Sequence, residues 1–462
     1  MNKTRLVLIF ACLCLSMLIP SCEEPMEKRP IQAEEIGESQ GLYQAGSDMC
    51  HNNQVDLPSP RSEPGLSWIK TGEELEMDPF TEVMVDREGG VWYRSSNAYE
   101  LIGLGLNSID SETLGSFVYQ PSIVRLDSFG DKFFDRKFNL TNEGNLDVPF
   151  LGVLTDSAMI LSVAYMEPGF EEVEESWRTY LMCIDINGVA RWQTDPIKND
   201  RFRAGVWRTD FDRVLMSAPE HEFLVYEIFD GEQTGSFEVS GIMESDDIGP
   251  IPMFGDAVLV HGLHHYSDME FIEVRDFNGN GQSFLNLEHM EHTISPVRDD
   301  SMNVYYGSPS GLSKIDMGQA DITWTRYQGN RIETCGLTPY GNVLAMRYGR
   351  SGPEALLLVD PDGAEIWSKE LDPENAPFHT VIYMDNTVLL SHATGISLLS
   401  QDGTTRWTVT PSEMDFDSGT RFRFLESHPV VFDGIFVHYQ VEHSDRSLDE
   451  GLIRLQVEDP TI

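Results

Sequence analysis

The sequence predicts an all-β protein, an eight-bladed β-propeller, and three observations carry that prediction. One phrase recurs along the chain: SIVRLDSFGDKFFDRKFNL at 122–140, LMCIDINGVARWQTDPI at 181–197, LLLVDPDGAEIWSKEL at 356–371 and ISLLSQDGTTRWTVT at 396–410. In each copy a glycine (Gly130, Gly188, Gly363, Gly403) follows the end of an apolar strand, and a large aromatic (Phe134, Trp192, Trp367, Trp407) comes four residues later. That is a hairpin written as an alternating strand, a tight turn that needs glycine, and a second strand led by an aromatic. The unit returns roughly every 40–50 residues, and all-β units at such a period form propellers. The third observation is that the two ends of the chain hold complementary fragments of one blade.

Each blade has four antiparallel strands, A to D from the centre outward. The D-strand aromatics are Phe134, Trp192, Phe237, Phe284, Trp324, Trp367 and Trp407. The preceding C strands are expected at Ile123–Asp127, Leu181–Asp185, Phe223–Ile228, Phe271–Asp276, Leu312–Asp316, Leu356–Asp360 and Ile396–Ser400. Short apolar A–B pairs that turn at Asp, Asn or Gly come before them, such as Val381–Met384 with Thr387–Ser391. After Trp407 there are A, B and C strands (Pro429–Phe432, Gly434–Tyr439, Leu452–Val457) but no aromatic D strand, while Leu66–Thr71, with Trp68, stands alone near the beginning. Letting Leu66–Thr71 complete the last blade gives eight blades and leaves none incomplete at the seam. Seven blades, with Trp68 in a tether, is the alternative.

Residues 1–22 read as a targeting segment: Lys3 and Arg5, then an apolar run from Leu6 to Ile19 that is too short to span a bilayer comfortably. The step Ile19-Pro20-Ser21-Cys22 resembles a bacterial lipobox, which implies that Cys22 is the lipidated residue. Residues 23–64, rich in Glu, Pro, Gln, Ser and Gly, read as a flexible tether, and 65–460 as the propeller. Glu23 rather than Asp after the anchor favours the outer membrane of a Gram-negative envelope, with attachment by lipid alone. The chain carries 76 acidic against 32 basic residues, a net charge of −44, which repels nucleic acid and anionic headgroups. Three of the six cysteines, Cys50, Cys183 and Cys335, lie beyond the anchor, and Cys183, inside an apolar strand, reads as a buried free thiol.

The phrases VDPDGAEIW and LSQDGTTRW resemble the PQQ-like repeat over about 65–460. That family contains eight-bladed quinoprotein alcohol dehydrogenases and non-enzymatic relatives, among them the propeller lipoprotein of the outer-membrane β-barrel assembly machine. For a quinone-dependent member the resemblance implies a vicinal Cys-Cys pair, acidic and amide calcium ligands and often a CxxCH haem motif. This chain has no adjacent Cys pair, and Ser47 stands where a haem motif ending in Cys50-His51 would need its first cysteine. The enzymatic branch is therefore disfavoured, and no cofactor is expected.

Two weaker metal candidates appear. Asp276, Asn278 and Asn280, with Gly281, match the first half of a calcium loop, but Leu287 occupies the position of the closing bidentate Glu. Because the stretch is also a C–D turn, backbone chemistry alone accounts for it. His261, His264, His265, His289 and His292 cluster in the fourth blade or its exit, with spacing that matches no zinc pattern.

Long B–C connections are expected at Ser96–Gln120, Met166–Arg178 and Val441–Glu450, in blades 1, 2 and 8, which are neighbours in a closed ring. They hold Tyr99, Leu101, Ile102, Leu104 and Phe117, then Phe170 and Trp177 among four glutamates. Aromatics ringed by charge resemble an interface core with a polar rim, although such loops also fold back over their own blades. The expected function is a lipid-anchored extracytoplasmic scaffold that binds a protein or envelope component. The rivals are a propeller enzyme acting on carbohydrate and a degenerate quinone-type dehydrogenase.

Overall fold

A computed structural model describes residues 54–456, apart from the connections 96–120, 139–147, 167–176, 239–250, 264–269, 288–295, 415–420 and 443–447 and shorter stretches of up to five residues. Eight sheets follow one another along the chain. Blades 1 to 4 run Val83–Val85, Val91–Ser95, Ser122–Leu126, Lys132–Lys137; Val148–Leu154, Ala158–Met166, Trp177–Asp185, Ala190–Gln193; Val206–Arg208, Arg213–Ser217, Glu222–Glu227, Gln233–Glu238; and Ile251–Met253, Ala257–Leu263, Glu270–Asp276, Gly281–Leu287. Blades 5 to 7 run Val297–Arg298, Asn303–Ser308, Gly311–Asp316, Asp321–Arg326; Arg331–Leu337, Val343–Gly349, Gly352–Val359, Glu365–Glu370; and Pro377–Tyr383, Val388–His392, Gly395–Leu399, Thr405–Val409. Blade 8 takes Arg421–Val430, Gly434–Glu442 and Leu448–Gln456 from the end of the chain and Gly65–Thr71 from its beginning. The three-plus-one closure is thus present, and the seven-bladed alternative is set aside.

Ring closure follows from where the apolar side chains go. Eight buried clusters lie one between each pair of successive blades. Val83, Val85 and Tyr93 of blade 1, for example, meet Phe436 and Leu452 of blade 8. A strand buried on both faces reads as a nearly continuous apolar run, which is how Val148–Leu154 and Gly434–Ile435–Phe436–Val437 are written. Cys183 is buried between blades 2 and 3 with its thiol pKa pushed up by burial, as its apolar strand implied.

The recurring phrase has two physical jobs. The first is the turn. In Asp127–Asp131 the Gly130 N–H donates to Asp127 O and the Asp127 N–H donates to Asp131 O, with Gly130 at φ +83°. This is a type I turn followed by a left-handed residue, which glycine adopts at no steric cost. The Asp127 carboxylate accepts the N–H groups of Phe129 and Asp131, and Asp185 and Asp360 do the same in their turns.

The second job joins neighbouring blades. The D-strand aromatic of one blade lies on the turn glycine of the next: a Cβ on Gly188 would stand 3.0 Å from Phe134, one on Gly231 2.5 Å from Trp192, and one on Gly403 2.9 Å from Trp367. The indole N–H groups of Trp192, Trp324 and Trp367 donate to Ile228 O, Pro361 O and Gln401 O in those turns. Trp407 is the informative exception. Its following blade is blade 8, whose C and D strands come from opposite ends of the chain, so the glycine turn of the other blades has no counterpart there. The buried Trp407 indole N–H has no partner among the described residues.

Gly231→Ala should therefore cost more than backbone strain alone. A left-handed alanine costs about 1–2 kcal/mol, and displacing the fully buried Trp192 ring adds to it. Gly329, at φ +80° with nothing within 4 Å of an added Cβ, is the control. The denaturation midpoint is expected to fall clearly further for Gly231→Ala than for Gly329→Ala, and equal falls would refute the docking contact.

Candidate functional site

In a propeller blade the B–C and D–A connections open on one face and the A–B and C–D turns on the other. On the B–C face, blades 5, 6 and 7 turn tightly, closing at the rungs Ser308–Gly311, Gly349–Gly352 and His392–Gly395. Blade 1 instead spans 96–121 between the rung partners Ser95 and Ser122, and blade 2 spans 167–176 between Met166 and Trp177. Both long connections thus spring from stems whose two ends are held by strand pairing. The connection in blade 8 is shorter than expected: the strands reach Glu442 and Leu448, which pair, leaving 443–447 between them. The crowded sector is thus carried by blades 1 and 2.

Below this sector the seam between blades 8 and 1 is fixed by polar contacts. Within blade 8 itself, between its B and C strands, His438 Nε2 lies 3.0 Å from Glu450 Oε2, and the Gln440 side-chain amide donates to Glu450 Oε1 at 3.0 Å. The histidine and glutamate side chains are 5% and 4% exposed. Thr71 caps the short helix Gly72–Leu75 with a capping box, its side chain accepting the Glu74 N–H while Glu74 accepts the Thr71 N–H. The Tyr93 hydroxyl donates to Leu75 O and the Ser95 hydroxyl to Glu76 O, tying this passage to blade 1. Burial pushes the Tyr93 phenol well above its ordinary pKa, which keeps it a neutral donor.

Of the residues expected on the interaction surface, Tyr99, Leu101, Ile102, Leu104, Phe117 and Phe170 lie outside the described residues. Trp177 is described and differs from expectation. It opens the C strand of blade 2 opposite Met166 and is 8% exposed, a ring held within the stem rather than presented from the loop. The acidic run before it suggested a loop, but the strand begins at the aromatic itself.

Asp276 behaves as a turn residue. Its carboxylate accepts the N–H groups of Asn278 and Asn280 and the Asn280 side-chain amide, the same use that Asp127, Asp185 and Asp360 make of theirs. The Asn280 side chain first, then its backbone N–H, hold the Asp276 pKa below the usual carboxylate value. Of the histidines, His261 lies in the B strand of blade 4, while His264, His265, His289 and His292 lie outside the described residues. Among the described residues no three His, Cys, Asp or Glu side chains gather as a metal site.

No family model and no curated protein matches this chain. Among solved structures, BamB from Moraxella catarrhalis aligns at 12% identity and a TM-score of 0.42 over 86% of this chain and 99% of its own. A europium-containing methanol dehydrogenase aligns at 9% and 0.49, over 92% and 99% of the two chains. The C-terminal WD40 domain of Sif2 aligns at 10% and 0.45, over 80% and 92%. All three scores are below 0.5, and none bears on what this chain does.

Proposed function

We propose that this chain is a lipid-anchored propeller of the bacterial cell envelope that binds a protein or envelope component and catalyses no reaction. The observation that carries the reading is the pair of long connections in adjacent blades 1 and 2, each rooted in a closed rung above a rigid ring. Long loops on a fixed scaffold are where binding residues are usually presented. The buried polar group of His438, Gln440 and Glu450 joins the B and C strands of blade 8. The lipobox-like step at Cys22 and the PQQ-like repeat support the envelope setting; of residues 23–64, expected as a flexible tether, Gln54–Val55, Leu57 and Ser59 are instead bonded to blade 7, which leaves 23–53 for that role.

Replacing Ser96–Gln120 by a short glycine-containing turn tests the reading, because the Ser95–Ser122 rung already closes the hairpin. The variant is expected to keep its denaturation midpoint within about 1 kcal/mol of wild type and to lose the partners captured by wild type from solubilised envelopes. Normal capture would exclude this sector as the interface. Fatty-acid-analogue labelling should disappear in Cys22→Ala, and equal labelling would refute the anchor.

A further inference from the structure

In five blades the residue directly before the C–D turn glycine is Asn or Asp: Asn187, Asp230, Asn278, Asp362 and Asp402. Blade 1 has Phe129 there. The backbone contact is unchanged, since the Phe129 N–H donates to Asp127 Oδ1 at 2.8 Å as the Asn187, Asn278 and Asp362 N–H groups donate to Asp185, Asp276 and Asp360. Turn chemistry favours the polar residue, and packing offers Phe129 no compensation, because it is 73% exposed. Phe133, four residues on in the same hairpin, is 52% exposed, and its ring also covers the Arg125 guanidinium at 5.0 Å. Exposed apolar residues scattered singly need no explanation. Two aromatics on one hairpin, one of them in place of the turn residue, mark a contact surface.

The same hairpin supplies the outermost strand of blade 1, Lys132–Lys137, which ends its sheet. That strand holds three cations and one anion, whereas the outermost strands of the other seven blades lie between −1 and +1. Lys132 is shared with Glu76 at 3.3 Å and Asp135 at 3.6 Å, and the Arg136 guanidinium donates to Gly188 O. Lys137 is exposed at the far end of the strand. Lysine on an edge discourages indiscriminate strand pairing. On a chain of net charge −44, a locally cationic edge is also where an anionic neighbour meets least repulsion. We propose that this edge, with Phe129 and Phe133 as apolar anchors, docks an extended acidic segment of a partner protein, which adds to blade 1 as a further strand. The inference goes beyond the proposed function and does not depend on it, because the hairpin turns on the face opposite the B–C connections.

The test uses the full chain and a fluorescent peptide that alternates glutamate with valine, with a glutamine–valine peptide as control. The glutamate peptide is expected to bind, less tightly as salt rises, and the glutamine peptide about tenfold more weakly or worse. Phe129→Asn restores the residue of the other turns, so its denaturation midpoint should equal or exceed that of wild type while affinity for the glutamate peptide falls about tenfold. Lys137→Glu should lower that affinity at unchanged stability. Failure of wild type to bind, equal affinity for the two peptides, or wild-type affinity in either variant would overturn the proposal. Self-association of the chain, or flotation with phosphatidylglycerol vesicles, that Phe129→Asn abolishes would also overturn it, by assigning the edge to a second copy or to a membrane. The variant lacking 96–120 should bind the glutamate peptide as wild type does; loss of binding there would move the peptide to the B–C face.

Discussion

A chain beginning at Pro79 is expected to aggregate, or to melt far below one beginning at Glu63. The difference between the two is the strand Gly65–Thr71, paired along its length with Leu448–Gln456, and the helix that follows it. Trp68 rests against Phe436 with ring centroids 5.7 Å apart and over Gly130, and Leu75 and Met77 are buried in the cluster between blades 8 and 1. Losing a buried Leu or Met side chain costs about 2–5 kcal/mol each. A domain's whole net stability is about 5–15 kcal/mol. Deletion also leaves the C strand of blade 8 as an unpaired edge, which recruits other chains. Thermal melts of the two truncated proteins decide the matter; identical midpoints would show that the seam strand does not close the ring.

Asp86→Ala is expected to be the most damaging single substitution among the turn carboxylates. The Asp86 side chain, 1% exposed, lies 2.7 Å from Arg125 Nε, and Arg125 is itself 5% exposed. It also accepts the Gly90 N–H at 2.7 Å and the Trp92 indole N–H at 2.9 Å. Removing the carboxylate takes the ion-pair partner from a buried guanidinium and the acceptor from two buried donors, a loss of about 3–5 kcal/mol. The exposed pair Lys132–Glu76, at 39% and 60%, is the comparison, and Glu76→Ala should change stability by no more than about 1 kcal/mol from loss of that pair. Chemical denaturation of the variants provides the readout. A change below about 1 kcal/mol for Asp86→Ala would mean that the Arg125 charge finds water or another partner.

The hairpin phrase was legible because two constraints coincide in it. Gly188 and Gly403 must adopt positive φ, and each must also leave room for an aromatic from the preceding blade. Either demand alone tolerates substitutes; together they keep the glycine visible. What the phrase did not disclose is that its aromatic serves the next blade, since that contact crosses some 30 to 60 residues of sequence, as between Trp192 and Ile228 or Trp68 and Ser128. Phe284 shows the limit, being 40% exposed in blade 4. The A strand of blade 8 runs over Arg421–Val430 rather than beginning at Pro429, because its arginines, glutamate and histidine hid the strand. Gln54–Val55, two residues within a polar stretch, carries no periodic signal, and only its register with Ile382 and Tyr383 reveals it. Long connections such as 96–120 show their length in the sequence but not their course, which is set by contacts that no local period encodes.

The closing strand has a further consequence in time. Gly65–Thr71 is among the first parts of the ring to be synthesised, and its partner Leu448–Gln456 is the last. At roughly 5–20 residues per second, the early strand waits tens of seconds for its ladder. Blades 1 to 7 can each form as their own four strands emerge, whereas blade 8 must wait for the final residues. Refolding of the complete chain from denaturant lacks that order and should be slower and less productive than folding during synthesis.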